Sequence, residues 1–143
     1  MIEHLWEEHG LIRWHHGVVS LKEIAESDLK VQADPRFDEI HYLIDDFLDC
    51  SNVTDIDMEL VDELAAIAAV AVRFPARFRH AVVAGSPLVR KLADDFASAG
   101  FISYPVRKFD RMTDARAWAE ETRFEVGRDM TAPVQPVIHR QRG

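Results

Sequence analysis

From Ile40 onward the chain repeats one unit three times: a short apolar run, a turn, and a longer stretch with helical periodicity. Ile40 to Leu48 reads as a strand, followed by a helix from about Asp57 to Arg73. Arg79 to Ala84 is near-continuously apolar, the pattern of a buried parallel strand. Gly85-Ser86-Pro87 then supplies a turn, an N-cap and a first helical position in order. The helix that follows carries Leu88, Leu92 and Phe96 on one stripe, with Val89 and Ala93 beside it, and ends at Gly100. Ser103 to Phe109 is the last strand, and Pro105, which cannot donate to a ladder, predicts a sheet edge. Thr113 caps a final helix bearing Ala115, Trp118 and Ala119. Repeated strand–helix units of this kind imply parallel strands joined by right-handed crossovers.

The N-terminal forty residues differ. Ile2 to Glu7 and Leu11 to Val18 flank Glu8-His9-Gly10 and predict a β-hairpin with the glycine in the turn. Ser20-Leu21-Lys22-Glu23 is a capping box, so a helix follows with Leu21, Ile24, Ala25 and Leu29 inward. Ala33-Asp34-Pro35 stops it. The predicted fold is α/β: a single mixed five-stranded sheet, opened by the hairpin and flanked by about four helices. Residues 1–125 form the domain. Residues 126–143, with the linker-like Ala132-Pro133-Val134-Gln135-Pro136, are expected to be a flexible or partner-packed tail.

The chain's 143 residues suffice for one buried core, and its net charge of -8 argues against nucleic acid as the partner. Arg123, Arg128, Arg140 and Arg142 give only the C-terminal end a basic bias. Cys50 is the only cysteine, which rules out an intrachain disulfide and fits a reducing compartment. MIEHLWEEHG has no signal-peptide pattern, and the longest uncharged apolar run, Leu64 to Val72, is too short to span a bilayer. A soluble cytoplasmic protein without membrane insertion is expected.

Several stretches together resemble the SpoIIAA-like family of small bacterial proteins, whose fold is shared with STAS domains and akin to CRAL-TRIO lipid-transfer domains. They are Gly17-Val18-Val19-Ser20 entering a helix, Asp34-Pro35-Arg36-Phe37 with the strand ending at Asp45, Phe78-Arg79-His80-Ala81-Val82-Val83-Ala84, and Val106-Arg107-Lys108-Phe109 followed by Ala115 and Trp118. The resemblance spans roughly residues 10 to 122. It implies a non-enzymatic regulatory domain that, like anti-sigma-factor antagonists, recognises a protein partner. The partner surface it implies is the loop and helix start made by Asp49, Ser51, Asp55, Asp57, Met58, Val61 and Leu64. Kinship with lipid-transfer domains implies the alternative, a small apolar ligand or lipid held under the long helix. Phospho-regulated antagonists carry Asp-Ser-Ser/Thr-Gly at the helix entrance, whereas this chain has Asp55-Ile56-Asp57-Met58. That leaves Ser51 and Thr54 as the only hydroxyls in the loop.

The other constellations give little chemistry. A calcium loop starting at Asp49 fails, because Thr54 stands where glycine belongs and Leu60 replaces the bidentate glutamate. Asp45 and Asp46, adjacent in a strand, point to opposite faces, and so do His15 and His16. Asp45 at a strand end, and Gly85 and Ser86 at a helix start, are the candidate positions for a ligand or ion. No cofactor, resident metal or catalytic residue is predicted. Leu64 to Val72 is apolar on every face of its helix, so a second surface should meet it, and a homodimer is one expected answer.

Overall fold

The computed structural model describes residues 1–131, with the side chains of residues 1–121. In chain order the elements are β1 (Ile2–Trp6), β2 (Gly10–His15), β3 (Gly17–Ser20), α1 (Leu21–Ala33), β4 (Tyr42–Asp46), β5 (Cys50–Thr54), α2 (Met58–Ala71), β6 (Arg79–Val83), α3 (Pro87–Ala97), β7 (Val106–Phe109) and α4 (Met112–Thr131). Five strands form one mixed sheet in the order β1-β2-β4-β6-β7. β1 is antiparallel to β2, and every later pairing is parallel. The hairpin, the crossovers and the edge position of β7 match the pattern in the sequence.

Side-chain alternation sorts the sheet into two faces. Ile12, Ile44, Ala81 and Val83 pack with Ala115 and Ala119 of α4, whose two fully buried alanines let the helix lie close to the sheet. The opposite face is roofed by α1, α2 and α3. Leu11, Leu43 and Phe78 meet Val31 and Val72 there, while Val61, Leu64, Leu92 and Phe96 knit the three helices together. The α1 capping box is present in both directions: Ser20 accepts from the Glu23 backbone at 3.0 Å, and Glu23 accepts from the Ser20 backbone at 3.2 Å.

Two glycines work differently from their sequence reading. Gly10 was expected to shape the hairpin turn, but its role is space. A Cβ there would lie 2.0 Å from the Tyr42 ring. Gly17 has φ +68 and breaks what reads as one strand from Leu11 to Val18. Past that break the chain leaves the main sheet as β3 and pairs in parallel with β5, giving a second, two-stranded sheet that the sequence pattern did not reveal.

Smaller differences follow from packing. Leu29 is exposed, because the inward stripe of α1 runs through Leu21, Ile24, Asp28 and Val31. Leu88 is exposed and Val89 takes its place in the core. α4 begins one residue ahead of the expected Thr113 cap and continues through Thr131, past the predicted domain end at residue 125. The Ala132 to Pro136 segment and the rest of the tail lie outside the described residues. Among those described, no helix is long and apolar enough to cross a membrane.

Candidate functional site

The face of the sheet under α1, α2 and α3 holds polar side chains where a purely structural core would hold apolar ones. β2 places Arg13 and His15 on that face with Leu11, β4 places Asp45 beside Leu43, and β6 places His80 beside Val82. The parallel register sets Arg13 opposite Asp45 and His80 opposite Leu43. Arg13, His15, Asp45 and His80 are 3%, 0%, 4% and 7% exposed.

Asp45 is the hub. Its Oδ1 accepts from Arg13 Nε at 2.7 Å and His15 Nε2 at 2.9 Å. Its Oδ2 accepts from Arg13 Nη2 at 2.9 Å and His80 Nε2 at 2.7 Å. Arg13 then reaches α1 through Nη1, donating to Ser27 Oγ at 3.1 Å and to Asp28 Oδ1. Ser27 Oγ also meets His4 Nε2 at 2.7 Å, which ties β1 into the network.

The charges sustain one another. Burial alone would push the Asp45 carboxyl up, but the Arg13 guanidinium and the two imidazole donors outweigh it and hold it well below the usual range. Burial likewise opposes the Arg13 charge, and the carboxylates of Asp45 and then Asp28 reverse that and raise its pKa. His15 goes the other way: burial lowers it below 6.5 against the pull of Asp45. Its ring stacks on Phe47 with centroids 3.9 Å apart.

Above this polar floor lies a cavity of about 110 Å³. Leu21, Ile24 and Val31 of α1, Val61, Leu64 and Ala68 of α2, and Val89, Leu92 and Phe96 of α3 make its walls. Arg13, Asp28, Asp45 and His80 make its polar end. The volume is comparable to an engineered apolar cavity of ~150 Å³ that admits benzene, and well under the roughly 300–1,000 Å³ of drug-sized sites. A compact molecule fits, and a whole lipid does not.

His80 Nε2 faces the Asp45 carboxylate, so that nitrogen carries the hydrogen. The ring's other nitrogen, Nδ1, is buried without a hydrogen-bond partner. His15 Nδ1 shares that condition, but His15 lies under Phe47 and does not line the cavity. Among the described residues, no group of three or more His, Cys, Asp and Glu side chains is arranged to hold a metal ion.

The positions expected to bind separate into three places. Asp45 reaches the cavity. Gly85 and Ser86 are exposed and do not line it; Ser86 caps α3, its side chain accepting from the Val89 backbone at 3.4 Å. Asp49, Ser51, Asp55, Asp57 and Met58 lie exposed along the β5 edge and its path into α2. Asp55 sits in the left-handed region at φ 55, and Asp57 is the α2 N-cap, accepting from the Glu59 backbone at 3.0 Å. Val61 and Leu64, expected beside them on the partner surface, are corrected by their burial: the helix phase turns both into the cavity wall.

Asp46 points away from Asp45 and holds the turn into β5 by accepting from the Leu48 backbone at 2.9 Å. Burial raises the Cys50 thiol pKa, which suits a filler more than a nucleophile. Sequence reasoning missed Arg13, His15, Ser27 and Asp28. The available signal was parity: Arg13 and His15 share a face with buried Leu11, and Asp28 falls on the Leu21–Ile24–Val31 stripe.

No family model matches the chain, and no curated protein matches it in sequence. Solved structures do match in shape. The anti-sigma factor antagonist SpoIIAA in its unphosphorylated form aligns with TM-score 0.53 and 14% identity, over 84% of this chain and 98% of its own. A DUF3478-family protein with a SpoIIAA-like fold from Shewanella loihica PV-4 gives 0.53 and 13%, over 83% and 92%. The phosphorylated form of the Bacillus cell fate determinant SpoIIAA gives 0.51 and 15%, over 82% and 99%. At such identities the likeness speaks to architecture. The chain is an α/β domain with the SpoIIAA-like, STAS-type fold.

Proposed function

We propose that the protein is a non-enzymatic regulatory domain that binds a small, mainly apolar molecule between its sheet and the roof of α1, α2 and α3. The observation that carries this reading is the cavity with its one polar end. Close packing is the rule for protein interiors, and a void of this size, walled by residues from three helices, is costly unless it is used. Asp45 has all four acceptor positions filled from Arg13, His15 and His80, so it holds the floor rigid and lacks the free proton-accepting site a catalytic carboxylate needs. Native mass spectrometry of the purified protein tests the reading. A retained molecule of low mass, lost on extraction with organic solvent, is the expected result. A bare polypeptide mass, together with no change on incubation with small hydrocarbons, contradicts it.

A second reading rests on the exposed segment from Asp49 to Met58. It offers charge at Asp49, Asp55 and Asp57 and apolar surface at Ile56 and Met58 beside a helix N-terminus, which suits recognition of a protein partner. Ile67 and Val70, on the outer side of α2, are exposed and provide a surface for pairing of two copies in a cytoplasmic setting. The two readings are compatible, since α2 is both the cavity roof and the carrier of this surface. Asp55→Lys with Asp57→Lys is expected to abolish capture of a partner from the source cell while leaving the cavity's ligand in place. Unchanged capture removes the second reading alone.

A further inference from the structure

The polar end of the cavity is one cation short. Asp45 and Asp28 bring two carboxylates, and Arg13, which bonds to both, brings one guanidinium. Most other polar atoms there are committed or out of reach. Both Asp45 oxygens already accept two hydrogens each. His80 turns Nε2 to Asp45, and its Nδ1 is buried beyond contact. Arg13 keeps a single Nη2 hydrogen after its bonds to Asp45, Ser27 and Asp28. Three groups that line the cavity keep both accessible surface and an open bonding position. Asp28 spends Oδ1 on Arg13 and leaves Oδ2 unpartnered. The Tyr104 hydroxyl and the Gln32 amide have no hydrogen-bond partner among the described residues. Tyr104 is the telling one, because it is only 6% exposed, its ring set edge-on to Phe78 at 5.0 Å between centroids. A hydroxyl so deeply placed is unfavourable unless something in the cavity meets it. Burial, and then the charge of Asp28, raise its pKa, so it stays protonated and lies within that carboxylate's field.

We propose that the cavity takes a compact primary ammonium with an apolar body, its hydrogens donated to Asp28 Oδ2, the Tyr104 oxygen and the Gln32 carbonyl while the hydrocarbon lies against Val61, Leu64 and Leu92. This deepens the small-molecule reading and rests on it. Burying an ammonium is costly unless it is paired and hydrogen-bonded, and three open acceptors beside a surplus carboxylate meet both conditions. It brings the formal charge of the two carboxylates and the guanidinium to zero. Hydrogen bonds between charged groups are also roughly twice as strong as neutral ones. A carboxylate ligand meets a negative end whose one spare cationic hydrogen belongs to a guanidinium already paired twice. An alcohol gives Asp28 one donor and leaves the surplus charge in place. A pure hydrocarbon fits the walls and satisfies none of the three groups.

Four probes of similar size separate these cases: n-butylammonium, n-butanol, butyrate and n-pentane. They are titrated at fixed ionic strength and pH 8, above the ordinary imidazole pKa of about 6.5, with binding read from lining methyl shifts. In the wild type n-butylammonium is expected to bind about tenfold more tightly than n-butanol or butyrate. Relative to n-pentane, which reports the walls alone, its affinity is expected to fall about tenfold in Asp28→Asn and about threefold in Tyr104→Phe. A direct signature guards against a variant that fails to fold: in the wild type, the Asp28 carboxyl carbon resonance moves when n-butylammonium saturates the site and stays put with n-pentane. Butanol or butyrate binding as tightly as n-butylammonium overturns the proposal. So does a carboxyl resonance that ignores n-butylammonium, or a ratio to pentane unchanged in either folded variant. If no probe moves any lining methyl, the small-molecule reading itself has failed, which is a distinguishable result.

Discussion

Asp45, four donors on a single carboxylate beneath three helices, is where individual residues decide most. Replacing it with Asn leaves Arg13 buried without its main counter-charge, a class of change that costs about 3–5 kcal/mol. Urea unfolding of Asp45→Asn is expected to show that loss. A change under about 1 kcal/mol would mean that Asp28 alone holds the guanidinium. The network also sets a pH dependence. His15 has a folded-state pKa below 6.5, so as pH falls below about 6.5 the unfolded chain takes up a proton that the native ring refuses. Stability is therefore full above that pH and declines below it, by at most about 1.4 kcal/mol per pH unit for this group. His4, lowered chiefly by burial, adds in the same direction. Asp45, depressed well below its ordinary value, contributes stability above about pH 4 that is lost as pH drops further. His15→Gln keeps a donor to Asp45 without the titration, so its urea midpoint should fall less steeply from pH 7 to pH 5 than that of the wild type. Parallel slopes would contradict the assignment.

The elements formed where pattern and capping agreed, and went astray where one residue imposed a three-dimensional constraint. Ser20 and Glu23 announce α1, and Ser86 with Pro87 announces α3, because caps act on backbone groups a few positions away. Leu29 was misplaced because apolarity was weighed above phase: Asp28 is drawn inward by Arg13, a partner fifteen positions away and on a different element. β3 was read as the end of β2 because nothing local in Gly17-Val18-Val19-Ser20 signals a change of sheet. The partner strand β5 lies some thirty residues onward, and its Ser51 and Asn52 read as loop. Both glycines can be tested. Gly17→Ala forces an L side chain to φ +68 and is expected to cost about 1–2 kcal/mol, with loss of β3–β5 amide protection. Gly10→Ala drives a methyl into the Tyr42 ring, which is itself hydrogen-bonded to Glu7, and is expected to cost about 1–3 kcal/mol. Wild-type stability in either variant would show that the local backbone yields freely.

Across the whole molecule, the mixed five-stranded sheet, opened by a hairpin and ending in an edge strand, was legible, since alternation and chain order point to it. The site was only half legible. Asp45 stood out as a strand-end acid, but its role depends on Arg13, His15, Asp28 and His80, which converge from β2, α1 and β6 and show no spacing rule. Val61 and Leu64 were assigned to the outside but are buried, since an all-apolar helix does not advertise which face looks inward. The cavity belongs to the assembled fold and to no segment. Ala68→Leu, which places extra carbons in the void, is expected to keep stability within about 1 kcal/mol of wild type or raise it, while eliminating ligand retention. A loss of 2–3 kcal/mol would signal overpacking and no room to fill.

The most direct measurement of an accessible apolar chamber under the three helices is the methyl spectrum of the protein under xenon pressure, since xenon enters apolar cavities without needing a polar partner. Saturable shifts are predicted for Val61, Leu64, Val82 and Leu92, which line the chamber, with Ile12, Ile44 and Val83 on the α4 side unmoved. Shifts spread evenly over both faces, or none at any pressure, would contradict the account.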